Sequence, residues 1–123
     1  MSIKHDIGNK GEEIAENYMI NKGYIILEKQ WRYNRAEVDL ICKKDGALIF
    51  VEVKSRTSIT FGAPEDFVTN KKKKLMSAAA SAYMTKVNHE WFIRFDVISI
   101  IIHHDDSHEL QHFEDAFFLG LNT

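Results

Sequence analysis

The 123-residue chain has a single cysteine, a single proline, no long apolar run and almost no net charge. One cysteine excludes an intrachain disulfide, and the placing of Cys42 in an apolar stretch suits a small buried hydrophobe in a reducing compartment. Met1-Ser-Ile-Lys-His-Asp6 has no apolar signal core, and no segment reaches membrane-spanning length. A cytoplasmic protein without membrane contact is expected. The formal charge of −2 argues against a protein that coats nucleic acid indiscriminately. It is compatible with a nuclease, whose active-site carboxylates lower the total while a basic face remains. Pro64 marks one loop, and no repeat, linker or low-complexity segment divides the rest. A single domain over residues 1–123 follows, large enough for one core without disulfides or structural metal.

What is present centres on Lys44-Asp45-Gly46. An Asp-Gly pair between apolar runs is the strongest short-range hairpin signal. With Asp45-Gly46 as a two-residue loop, Lys44 faces Ala47, Ile41 faces Phe50, Asp39 faces Glu52 and Glu37 faces Lys54. Two carboxylates then oppose each other with Cβ atoms about 4.5–5.5 Å apart, which destabilises a sheet unless a cation lies between them. A hard divalent ion such as Mg²⁺ takes oxygen ligands of this kind. On a solvent-facing strand the same carboxylates would simply be hydrated. Leu40-Ile-Cys42 and Leu48-Ile-Phe-Val51 oppose that reading, because strands buried on both faces leave Asp39, Glu52 and Lys54 in need of partners. Glu37, on the strand face of Asp39, is placed to support the site by pairing with Lys54.

Around the hairpin, residues Asn9–Lys22 predict a helix ended by Gly23. Gly11, Ile14, Ala15, Tyr18 and Met19 form its apolar stripe, with Glu12 on the edge of that stripe and Glu13 and Glu16 on the polar side. Tyr24–Glu28 reads as a strand, Trp31–Arg35 as an aromatic and basic loop, and Glu37–Lys43 and Ala47–Lys54 as the hairpin strands. Phe67–Val87 reads as a long helix with Leu75, Ala79, Ala82 and Tyr83 inward. Trp91–Ile102 reads as a strand entering the core, and Phe113–Leu119 as an edge strand or a short helix. The order α-β-β-β-α-β predicts an α/β layer structure, a central mixed sheet flanked by helices.

Asp39 followed by Glu52-Val-Lys54 at the end of the next strand resembles the PD-(D/E)XK signature of restriction-endonuclease-like nucleases. Gly11-Glu12 with Ala15, Gly23-Tyr24, Glu37-Val-Asp-Leu-Ile41, Phe50-Val-Glu-Val-Lys54, Arg56, Phe61-Gly62, Lys71 and Arg94-Phe-Asp96 together resemble the YraN-like bacterial family of that superfamily, whose function is unassigned. The resemblance spans about Gly8 to Ile100. The pattern is also similar to archaeal Holliday-junction resolvases, in the helix-1 glutamate and in the thirteen-residue spacing from Asp39 to Glu52. Ala36 departs from the family's usual Gly at that position, which bears on loop geometry and removes no ligand.

The resemblance implies a restriction-endonuclease-like fold and metal-assisted phosphodiester hydrolysis. Mg²⁺, or Mn²⁺ in its place, would be held by Asp39, Glu52 and the Val53 carbonyl, polarising a phosphate oxygen and acidifying water. Glu12 would bind a second ion or a water of the first. Lys54 would stabilise the transition state or position the attacking water. The implied partner is nucleic acid, DNA ahead of RNA, and resolvase-like action would require a homodimer.

Phosphate contacts need a cationic track. Lys71 and Lys72, within Lys71–Lys74, are candidates, although such runs are also found as solvated helix starts. Arg35, in the interleaved Arg32-Tyr33-Asn34-Arg35, and Arg56, two residues beyond Lys54, are the others; a surface salt bridge is the plain alternative for each arginine. His108-Glu-Leu-Gln-His112 spells the zinc-protease string. That motif needs a helix and a distant third ligand, and the segment from Ile102 to Phe113 reads as a polar connection. The expected function is a metal-dependent nuclease, with a catalytically weak nucleic-acid-binding or scaffolding protein on the same fold as the alternative.

Overall fold

Asp45 and Gly46 both adopt the left-handed backbone that a tight hairpin turn demands, with φ of +53° and +82°. They join strands β2 (Ala36–Lys44) and β3 (Ala47–Arg56) with Lys44 opposite Ala47 and Ile41 opposite Phe50, the register expected from the turn. The computed structural model describes residues 3–57, 69–88 and 92–116. Before the hairpin come helix α1 (Ile3–Asn21) and strand β1 (Ile25–Tyr33); after it come helix α2 (Asn70–Val87), β4 (Ile93–Ile102) and β5 (His108–Phe113). The five strands lie in the order β1-β2-β3-β4-β5. Only β3 and β4 run parallel, as the intervening α2 crossover requires. The fold is α/β, a mixed sheet flanked by two helices.

Alternation along the central strands assigns one sheet face to each helix. Leu48 and Phe50 of β3 pack with Met76, Ala79, Ala80 and Tyr83 of α2, whereas Ile49 and Val51 pack with Ala15 and Met19 of α1. Gly23 ends α1 at φ +93°, with the amides of Gly23 and Tyr24 bonded to the carbonyls of Ile20 and Met19. Thr69 caps α2 by accepting from the Lys72 amide at 3.1 Å, and Asn88 closes the helix at φ +57°. Among the described residues, no helix is long and apolar enough to cross a membrane.

Three expectations need correction. Helix α1 begins six residues before Asn9, and Trp31-Arg-Tyr33 is not a loop but the end of β1; the turn is Asn34-Arg35 alone. The supposed polar connection contains β5, the edge strand, so the order gains a final strand. On a strand His108 and His112 stand about 13 Å apart at 3.3 Å per residue, too far to share a zinc ion. Phe61, Gly62, Pro64, Phe67, Trp91 and residues 117–119 lie outside the described residues.

His112 instead joins a buried polar cluster on the α1 side. Asp96, fully enclosed, accepts two hydrogen bonds from Arg94, one from His112 Nε2 at 2.6 Å and one from the Asp115 amide at 3.0 Å. His112 Nδ1 meets the Tyr18 hydroxyl at 3.1 Å, tying β5 to α1. Burial alone would raise the Asp96 pKa, but the donors from His112, Arg94 and Asp115 hold it below the ordinary carboxylate range.

Cys42 is buried as expected, and burial pushes its thiol up to about 12. A thiolate is the reactive form, so an aromatic disulfide reagent at pH 8 should leave the native protein unlabelled and react only after denaturation. Rapid labelling of the native protein would contradict this burial.

Candidate active site

The β2–β3 ladder stops one residue short of the expected carboxylate pair. Leu40↔Val51 is its last rung. Beyond it the alternation of β2 breaks, for Val38 joins the α2-side core while Leu40 joins the α1-side core. The neighbouring strand breaks at the same level. Lys29 and Gln30 both reach α1, through Glu16 and Glu12, whereas the next residue, Trp31, packs on the α2 side. Gln30 holds φ at +50°, between the rungs Lys29↔Leu40 and Trp31↔Val38. Local irregularities of this kind re-aim side chains next to functional sites. Here they turn Asp39 toward β3, where its Oδ2 accepts from the Val53 amide at 2.7 Å.

Asp39 and Glu52 are both buried, at 8% and 2% exposure. Their proximity is the expected one, reached by a side chain crossing a broken ladder rather than by a rung. Burial first, and then the Glu52 charge, raise the Asp39 pKa from 3.8 to about 8, with Glu12 adding to the effect and the Val53 amide opposing it. The two carboxyl groups can share a hydrogen bond once one is protonated. With both ionised, Glu52 Oε1 is buried without a donor among the described residues, a costly condition.

Glu52 Oε2 is met by two lysines. Lys54 Nζ lies 3.6 Å away, and Lys72 Nζ, from the first turn of α2, forms a shorter ion pair with the same oxygen. Lys72 was expected to meet phosphate; its partner here is a candidate metal ligand, which sequence spacing could not reveal. Glu37 does not pair with Lys54. It pairs with Arg32 at 2.8 Å, its cross-strand neighbour on β1, because the broken β2–β3 ladder never brings Glu37 opposite Lys54. Glu12 accepts from Gln30 Nε2 at 2.8 Å. Its helix sits close to β3 because position 11 is glycine: a Cβ there would lie 1.7 Å from Ser55 Oγ.

Two grooves are lined by neighbours and partners of this carboxylate pair, though not by Asp39 or Glu52 themselves. One, of about 380 Å³, is lined by Glu12, Val53, Lys54, Ser55 and Arg56. The other, of about 280 Å³, is lined by Arg35, Glu37, Thr69, Lys71 and Lys72. Of the candidate residues, Glu12, Val53, Lys54 and Arg56 line one groove and Arg35, Glu37, Lys71 and Lys72 the other, while Asp39 and Glu52 are buried and Glu52 links the two sets through its contacts with Lys54 and Lys72. Among the described residues, no three His, Cys, Asp or Glu side chains converge closely enough to hold a metal ion unaided. The donor set that does converge is two carboxylates, one with an oxygen, Glu52 Oε1, that no donor meets among the described residues, and Glu12 near enough for its charge to act on Asp39. That set fits Mg²⁺, which binds through one or two carboxylates and keeps several waters.

A raised folded-state pKa for Asp39 means that the native site binds a proton which the unfolded chain releases near pH 4. The corresponding stabilisation is fully present below that pH and is lost as pH rises through about 8. Melts in chelator should therefore show wild type losing stability relative to Asp39→Asn across that window. Parallel profiles for the two proteins would mean that Asp39 is not held protonated.

Comparison with known sequences places the chain in a family. The profile described as Uncharacterised protein family UPF0102 matches residues 11–100, which include Glu12, Asp39, Glu52, Lys54 and the whole of α2. A UPF0102 protein of Flavobacterium psychrophilum is 39% identical over 118 residues, covering 96% of this chain and 98% of its own. A UPF0102 protein of Christiangramia forsetii is 40% identical with the same coverage, and one of Chlorobium chlorochromatii is 40% identical over 93% of this chain and 92% of its own. The chain belongs to the uncharacterised protein family UPF0102.

Proposed function

We propose that this protein is a divalent-metal-dependent nuclease of the restriction-endonuclease-like type, acting on phosphodiester bonds in DNA, including structured or branched DNA. The observation that carries the reading is the buried Asp39–Glu52 pair beside Lys54, with Glu52 Oε1 lacking a donor and Asp39 driven toward protonation. A carboxylate whose pKa is strongly shifted by burial together with a specific neighbouring charge is a functional-site candidate. Asp39 and Glu52 would hold Mg²⁺ or Mn²⁺, with the Val53 carbonyl as a further candidate and Glu12 on the helix side. When bound, the ion supplies Lewis-acid activation of phosphate and water.

The chain's own groups do the rest. The Val53 amide fixes the Asp39 carboxylate, so the ligand is oriented before any ion arrives. Lys54 lies within reach of Glu52 yet is about one-third exposed, so its ammonium can turn to charge developing on phosphate. Lys72 balances Glu52 from the other side. Arg35, Lys71 and Arg56 line the two grooves as phosphate contacts. The reading carries a cytoplasmic setting and nucleic acid as partner; two copies acting together would suit a branched substrate. A second reading, a weakly catalytic nucleic-acid-binding or scaffolding protein, draws support from Lys72, which neutralises Glu52 with no metal.

Two measurements test the proposal. Mg²⁺ or Mn²⁺ at a hundredfold excess over its Kd should add about 2.7 kcal/mol to the stability of wild type and far less to that of Asp39→Asn. Equal shifts in both proteins would place the ion elsewhere. In a cleavage screen over structured DNA and RNA with either metal, Lys54→Ala should lower turnover by about 10²–10³ while keeping most nucleic-acid affinity. Wild-type protein that binds these substrates and cleaves none would leave the scaffolding reading in its place.

A further inference from the structure

Two residues before Arg35, which lines the groove with Lys71 and Lys72, β1 ends in an aromatic pair that the proposed chemistry does not use. Trp31 and Tyr33 alternate on the last turnless stretch of β1 and face the α2 side together. Their rings are nearly parallel, 6° apart in plane with centroids 6.4 Å apart. Trp31 is fixed from behind: Tyr83 meets it edge-on at 5.1 Å, and Lys86 Nζ lies 6.0 Å from its ring. Tyr83 is held in turn by Phe50 of the core and by the Glu28 carboxylate. Tyr33 has the Trp31 ring beside it and is 40% exposed. An aromatic ring held in a set orientation at the surface by a stacked and anchored neighbour is poorly explained by core packing.

Its setting is cationic. Tyr33 ends β1 opposite Ala36, and the turn between them, Asn34-Arg35, delivers Arg35 to the groove shared with Lys71 and Lys72. From Ala36 to Asp39 is three residues, about 10 Å of strand at 3.3 Å per residue. Cations that track a backbone beside an exposed ring on which a base can stack are the two parts of a single-strand-binding surface. A continuous duplex keeps its bases paired and offers no base face to such a ring.

We propose that Tyr33, backed by Trp31, is a stacking subsite for one unpaired nucleobase of the strand whose phosphates lie along Arg35, Lys71 and Lys72. The inference rests on the nuclease reading for the position of the strand, and it narrows the substrate class. The preferred nucleic acid carries an unpaired nucleotide beside the attacked phosphate, as a single strand, a tail or a frayed branch does. Stacking needs the ring and not the hydroxyl, and it is largely independent of salt, whereas phosphate contacts weaken as salt rises.

Fluorescence anisotropy in chelator, with a labelled oligothymidine strand and a blunt duplex as probes, separates the two contributions. Tyr33→Ala should weaken oligothymidine binding about tenfold at every salt concentration, leaving the salt slope and duplex binding unchanged, and Tyr33→Phe should restore wild-type affinity. Arg35→Ala should weaken both probes and flatten the slope by about one. Equal loss on both probes with Tyr33→Ala, no loss on either, or failure of Tyr33→Phe to restore binding would overturn the subsite while leaving the nuclease reading intact. Wild-type protein that binds neither probe, in chelator or with Mg²⁺ added, would overturn both. Tyr33 is half in solvent, so the variants should fold, and their melting temperatures should match wild type within a few degrees.

Discussion

Two buried carboxylates held side by side repel each other, and the end of the sheet formed by β2 and β3 is built around that repulsion. Asp39 and Glu52 cannot relax into solvent, because the hairpin that carries them is the centre of the sheet and Leu40, Ile41, Phe50 and Val51 are packed on both faces. The repulsion is met in three ways. The ladder opens beyond Leu40↔Val51, the Val53 amide donates to Asp39, and Lys54 and Lys72 flank Glu52. None of these gives Glu52 Oε1 a donor. The remaining imbalance is what a proton can relieve and what a divalent cation would relieve better.

The same fold contains a buried carboxylate handled in the opposite way. Asp96 receives donors from Arg94, His112 and the Asp115 amide, and its pKa is lowered despite its burial. Every lone pair has an occupant, so the group holds β4, β5 and α1 together and has no capacity left for a ligand. Asp39 is buried almost as deeply, yet its pKa moves upward. Burial is common to both residues. Satisfaction separates a fastening from a site.

The hairpin was legible because its signals are local: Asp45-Gly46 sets the turn, and the turn sets the register near it. From there the nearness of Asp39 to Glu52 could be read, and so could the inward aspect of Glu12. The broken alternation at Asp39 could not. It depends on Gln30 adopting a left-handed backbone inside β1, which no propensity favours for glutamine, and on α1 offering Glu12 as its partner. Pairing with β2 carries β1 through Trp31–Tyr33, where aromatic and basic residues look like a loop. Strand β5 was hidden by its polar sequence, as edge strands often are. Lys72 reaches Glu52 across twenty positions of chain, a contact made by the crossover and by no local pattern. The tail beyond Ile100 carried no resemblance, and yet His112 supplies one of the donors to Asp96.

Where a sequence breaks local rules, the position of the break is informative. Four lysines, Lys71–Lys74, open α2 at the end of the helix where the peptide dipole already places positive charge. Helix stability alone would favour acidic residues there. Gln30 is strained, Glu52 has an oxygen without a donor, and Asp39 interrupts the alternation of its strand. These departures are far apart in sequence, and each is unfavourable taken singly. Their convergence on one end of the sheet gives them a common explanation. The carboxylates call for a cation, and the lysines, out of place for helix stability, call for an anion. A divalent ion together with the phosphate of a nucleic acid, as proposed above, would meet both demands at once: held by Asp39 and Glu52, the ion would take over the charge balance that Lys54 and Lys72 now supply, leaving both lysines available to phosphate.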